Sequence, residues 1–205
     1  MNEWTRLVRT VAPTEPAVSL EEAKRHLRVF HDDDDTDIEG MIAAAQGAIE
    51  GPTGIGIVLM PQTWRLSFDS FYEVVGNRRT QARRHGEIIV PLGPVTAVTS
   101  VTYRDINGAD QLITGLRFDI SESPLRIWPA RDTAWPLVYC EPGAVKVTFE
   151  CGFAELPQDL RWAVLLLVGH YYENREAITT DVKGLAEIPL GVSSILERYR
   201  VGRVA

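Results

Sequence analysis

The sequence predicts an α+β fold, a helical bundle domain with an inserted antiparallel β module. Three observations predict it. Apolar residues recur at helical spacing from Ser19 to about Gly51, the period drops to two between about Ile57 and Ala154, and helical spacing returns at Pro157. The expected organisation is an N-terminal arm over residues 1–18, a helical domain built from 19–56 and 155–205, and the β module over 57–154.

The arm reads as extended because Pro13 and Pro16 interrupt alternating small and polar residues. Ser19 then opens a helix. "SLEE" has the form of a capping box, in which the Ser19 hydroxyl accepts from the Glu22 amide and the Glu22 side chain returns to Ser19. Leu20, Ala23 and Leu27 mark its inward face. A second helix follows "HDDDDTD", with Ile38, Met41, Ile42, Ala45 and Ile49 at helical spacing. Its small residues, among them Ala44, Gly47 and Ala48, allow close approach of another helix or subunit; Gly51, Pro52 and Gly54 end it.

"TWRLSFDSF" opens the period-two region. "EIIVPL", "VTAVTSVTYRD", "LRFDIS", "LRIWP" and "GAVKVTFECGF" follow, divided by turns such as Asn107-Gly108 and Pro142-Gly143. "PQDLRWAVLLLVGHYYENREA" is apolar on nearly every side, so it should be buried from several directions. Trp162, Leu166 and Tyr172 of this helix join Ala44, Gly47 and Ala48 as candidate subunit-interface residues. After "ITTDVKG", a short last helix carries an apolar stripe that includes Leu190, Ile195, Leu196 and Tyr199 beside the basic Arg198, Arg200 and Arg203. A helix this short is marginal alone in water, so it should order by docking.

The net charge of −7 argues against tight nucleic-acid binding by the chain as a whole. The charge is segregated. Asp32, Asp33, Asp34, Asp35, Asp37 and Glu39 cluster at one point, and Arg78, Arg79, Arg83 and Arg84 form a basic loop at another. Cys140 and Cys151 have no zinc spacing and read as reduced thiols. No apolar run is long enough to span a bilayer, and no secretory leader is visible.

The acidic turn fails as a calcium loop. Counted from Asp35, Gly40 falls at position 6, but Gln46 stands where a bidentate Glu is required, and helical periodicity runs through the loop. As catalytic carboxylates they would need burial to raise a pKa, whereas a run of contiguous acids is expected to be solvated. A helix N-terminus explains them better, because its free N–H groups and dipole favour Asp. No nucleophile elbow, zincin or Walker motif is present, so no catalytic residue, metal site or cofactor is expected.

Taken in order, "AVSLEEAKRHLRV", "IAAAQGAIEGPTG", "PQTWRL", "IIVPLGPVTAVTSVTYRDINGA", "PGAVKVTFECGFAELPQDLRWAVLLLVGHYYENREA" and "IPLGVSSILERYR" resemble the head–tail connector (adaptor) proteins of long-tailed bacteriophages and gene-transfer agents, over residues 17–201. The resemblance implies a non-enzymatic ring of about twelve subunits. It would lie beneath the portal protein, extend the channel for double-stranded DNA without sequence-specific binding, and receive the next neck, stopper or tail-terminator protein. It would assemble in the bacterial cytoplasm, act in the particle neck, and have no membrane partner. The resemblance also implies portal docking by the C-terminal helix and tail, here Leu190, Ile195, Leu196, Arg198, Tyr199, Arg200 and Arg203. The acids Asp32 to Asp35 would face the channel or a partner. The competing readings are a DNA-binding packaging accessory or regulator, suggested by the arginine loop, and a small metal-dependent hydrolase using the acidic turn.

Overall fold

The computed structural model describes residues 6–52, 54–71, 86–139, 141–175 and 190–201. The basic loop (Arg78, Arg79, Arg83, Arg84), Cys140, Arg203 and the side chain of Leu190 lie outside the described residues. The fold is α+β, with helices and antiparallel sheets divided between two compact units. One gathers the described residues within 13–60 and 153–200; the other, those within 1–12, 61–152 and 201–205.

The first unit is helical. Helix α1 spans Leu20–Leu27, and the Ser19 hydroxyl accepts from the Glu22 amide at 3.2 Å, as the capping box predicts. The Glu22 carboxylate turns instead to Arg161, 2.8 Å away. At the other end Arg28 adopts a left-handed conformation (φ 58°), and its amide and that of Val29 cap the carbonyls of Arg25 and Lys24. Helix α2 spans Asp35–Ile49 and buries Ile38, Ile42, Ala45, Gln46 and Ile49. Helix α3 spans Gln158–Glu173 and buries Leu160, Ala163, Val164, Leu165, Leu167 and Val168. Its expected all-round burial is incomplete, because Trp162 is 49% exposed. Helix α4, Leu190–Glu197, packs on α3.

A buried polar link ties this unit together. Gln46 accepts from the Ala17 amide at 3.2 Å and donates to Glu50 at 3.2 Å, and Glu50 accepts from the Leu59 amide at 2.8 Å. Gly54 completes the turn because a Cβ there would lie 2.0 Å from the Ile49 carbonyl oxygen. Glu50→Ala strands the Leu59 amide, so we expect a loss of about 1–3 kcal/mol by urea unfolding.

The second unit is a pair of antiparallel sheets. Strands β1 (Leu7–Val11), β2 (Gln62–Phe68), β4 (Val95–Arg104), β5 (Asp110–Leu112) and β8 (Val145–Cys151) form one sheet in the order β1-β2-β8-β4-β5. Strands β3 (Ile88–Val90), β6 (Arg117–Phe118) and β7 (Leu125–Trp128) form another, ordered β3-β7-β6. Residues 7–11, expected within the arm, are therefore an edge strand, with Leu7 opposite Leu66 and Arg9 opposite Trp64. The alternation in the sequence sorts the large sheet into two faces. Leu66, Val101, Val147 and Phe149 are buried, while Arg65, Thr102, Arg104, Lys146 and Thr148 are at least partly exposed. Trp135 is buried and stacks on Phe71, with ring centroids 4.6 Å apart.

Candidate functional site

The acidic turn is pinned from two helices. Lys24 of α1 reaches Asp32 at 2.7 Å and Asp35 at 2.6 Å. From the last turn of α3, the Tyr172 hydroxyl donates to Asp34 at 2.6 Å. Arg175, just beyond that helix, donates to the same Asp34 oxygen at 2.8 Å. The Arg175 guanidinium also lies 4.3 Å over the Tyr172 ring. Asp34 occupies the N-cap position of α2 as expected, but its side chain makes no capping bond. The stronger pull of a hydroxyl and a guanidinium draws it away from the helix amides. Asp35 and Asp37 remain in the first turn, where the helix dipole favours them. Four adjacent acids thus have two environments. Asp32 and Asp33 present side chains that are 90% and 94% exposed, while Asp34 and Asp35 are held inward at 21% and 31%.

These bonds hold the Asp34 carboxyl below its ordinary pKa, first through the Tyr172 hydroxyl and then through Arg175. Asp32 is lowered by Lys24. A depressed folded pKa stabilises the protein above the unfolded value and is lost as pH falls through the folded one. Stability should therefore decline as pH drops toward and below 3.8, the ordinary Asp value. Asp34→Asn should flatten part of that acid limb in melting curves taken across pH. An unchanged limb would mean that Asp34 is no more stabilised folded than unfolded.

The outward face of α2 is smooth. Gly40, Ala43, Ala44 and Gly47 are exposed, opposite the buried stripe, and nothing lies within 4 Å of a Cβ built at Gly40 or Gly47. Ala48 is half-buried at its margin. On α3, Trp162 stands outward and meets the His26 ring edge-on at 5.1 Å. Leu166 is half-buried. Tyr172 faces the acidic turn through its hydroxyl, which makes it an internal fastener.

The stripe of the last helix finds its groove inside the chain. Val192 and Leu196 are buried, Tyr199 packs edge-on against Phe153, and its hydroxyl donates to Asp159 at 2.7 Å. Arg198 also reaches Asp159, at 3.2 Å, and Arg200 pairs with Glu197 at 2.8 Å. The last helix thus docks on its own unit, where Asp159 of α3 gives it an acidic edge beside the apolar contacts. Ile195 remains half-buried, while Arg198 and Arg200 keep much of their surface exposed. Among the described residues, no group of three or more His, Cys, Asp or Glu is placed to hold a metal ion. No described helix is long and apolar enough to cross a membrane.

The sequence matches the head completion protein family over residues 17–201. The chain belongs to that family. The likeness to head–tail connectors read from its phrases therefore holds. No curated protein gives a significant sequence match. Among solved structures, a chain in the neck of an empty gene transfer agent particle, computed with C6 symmetry, is 27% identical with a TM-score of 0.73. A chain in the virion of a native gene transfer agent particle is 28% identical, with a TM-score of 0.72. A third, from the neck of the native particle computed with C12 symmetry, is 27% identical with a TM-score of 0.65. Each match covers 97% of both chains.

Within this head completion protein, sequence reading did not find the Gln46–Glu50 link or the Asp34–Tyr172–Arg175 fastener. The spacing of Tyr172 and Arg175, three residues apart at the end of an apolar helix, was the available signal for the second.

Proposed function

We propose that this protein is a non-enzymatic subunit of the particle neck, assembling as a ring of about twelve copies under the portal. The ring continues the DNA channel and offers the attachment surface for the next neck or tail protein. The observation that carries this reading is the end-to-end likeness to chains from gene transfer agent necks, one of them computed with C12 symmetry.

The surfaces support it physically. A cyclic ring needs two different, complementary patches on each copy. The smooth outward face of α2, with Ala44, Gly47 and Ala48, suits close approach of a neighbour, and the projecting Trp162 beside Leu166 suits insertion into one. The exposed Asp32 and Asp33 suit a channel wall or rim, because like charge keeps a phosphate backbone from adhering. Portal docking falls to what the described C-terminal segment leaves outward, namely Arg198 and Arg200, with Ile195 at the margin.

Electron microscopy of the purified full chain mixed with portal tests the reading. Closed rings stacked coaxially on the portal are expected. A chain that stays monomeric at every concentration, with and without portal, would refute it.

A further inference from the structure

We propose that the two edges of the large sheet join neighbouring copies, β5 of one copy pairing with β1 of the next, so that the sheet runs on from subunit to subunit. The proposal deepens the ring reading and rests on it.

Among the described residues, β1 and β5 are the edge strands of this sheet. Their backbone bonds show which groups are spare. The Arg6 carbonyl accepts from the Ser67 amide, so Arg6 and Val8 face β2 while Leu7 and Arg9 turn their N–H and C=O groups outward. The Ala109 carbonyl accepts from the Asp105 amide and the Ile113 amide donates to the Val101 carbonyl. Gln111, between them, therefore faces β4, and Asp110 and Leu112 turn outward. The register of β1 shifts between Arg9 and Val11, which leaves Leu7 to Arg9 as its regular edge, a stretch as long as β5. Neither stretch contains lysine or proline, two usual guards of an open edge.

The chemistry of the two edges selects the occupant. Residues 6–11, "RLVRTV", carry two arginines and no acid, whereas residues 105–112, "DINGADQL", carry two aspartates and no base. Pairing either edge with itself about a two-fold axis would set like charges together; β5 against β1 sets opposite ones together. Val8 (50% exposed) and Leu112 (61%) stand on the same face of the sheet, linked across it through Arg65 and Ser67, Lys146 and Thr102. They would meet when the edges join. Direction fits as well. Every pairing in the sheet is antiparallel, so β1 and β5 run the same way. A neighbour turned by the small angle of a ring of about twelve copies presents β1 alongside β5 as a parallel ladder.

The test uses the purified full chain. Amide hydrogen exchange at Arg9 and Leu112 should slow by about 10-fold or more between dilute monomer and ring. Equal exchange in both states overturns the proposal. Leu112→Pro and Arg9→Pro each remove one outward N–H at an edge, where proline is tolerated. Melting of the isolated protomer should be unchanged and neither variant should close rings. Each keeps one sound edge, so an equimolar mixture should form heterodimers. Leu112→Pro rings of normal mass and normal resistance to dilution also overturn the proposal. If a proline variant lowers the protomer's own melting, the exchange of the unaltered chain decides. An unaltered chain that forms no ring contradicts the neck reading itself, whereas rings in which Arg9 and Leu112 exchange as freely as in the monomer contradict this joint alone.

Discussion

Deleting residues 190–205 is expected to unfold the helical unit rather than simply to free the portal. Val192 and Leu196 are fully buried, and Tyr199 bonds Asp159. A buried Leu→Ala change costs about 2–5 kcal/mol, and losing the whole helix should cost at least about 5 kcal/mol. That is comparable to the entire stability of many domains, about 5–15 kcal/mol. Leu196→Ala alone should lower stability by about 2–5 kcal/mol in urea unfolding. If the truncated chain melts like the intact one, the packing of α4 on α3 is not what holds this unit. The deletion is therefore a poor probe of docking. Removing only residues 202–205, with Arg200→Ala, spares the buried stripe and should leave melting unchanged while reducing entry into portal-bearing particles.

The second large effect falls on assembly. Gly47→Trp should leave the isolated protomer folded, because nothing lies within 4 Å of the position and the helix is solvent-facing there. In a ring whose neighbours approach that face, the indole must overlap them. Overpacking of about 1–3 kcal/mol per contact weakens each by up to roughly 100-fold, and a closed ring repeats the penalty at every joint. Native mass spectrometry should show monomer where the unaltered chain shows ring. Gly47→Ala is the control and should assemble normally. Rings of normal mass from Gly47→Trp would move the subunit contact to another face.

Much of the architecture was legible because its signals are local. Ser19 caps α1 from its own hydroxyl, the stripe Ile38, Ile42, Ala45 and Ile49 faces inward, and the period of two sorts β2, β4 and β8 into faces. What escaped depends on residues far apart in the chain. Residues 7–11 carry no feature that distinguishes a free arm from an edge strand; only the pairing of Leu7 with Leu66 does so. Asp34 has the composition of a cap, but Tyr172 and Arg175 outcompete the helix amides. The last helix was expected to order by docking, but its partner Asp159, in the same unit, lies about 40 residues away in the chain. That Ala44 and Gly47 are small was plain in the sequence, and the structure leaves both exposed. Tyr172 was not separable from them, because its hydroxyl partner is 138 residues away.

The central claim is that this chain is a structural part of the neck. Reconstruction of particles made with and without its coding sequence tests that claim most directly. An axial ring of density between portal and tail is expected to disappear when the chain is absent, leaving heads without attached tails. Particles lacking the chain that still show a complete neck would contradict it.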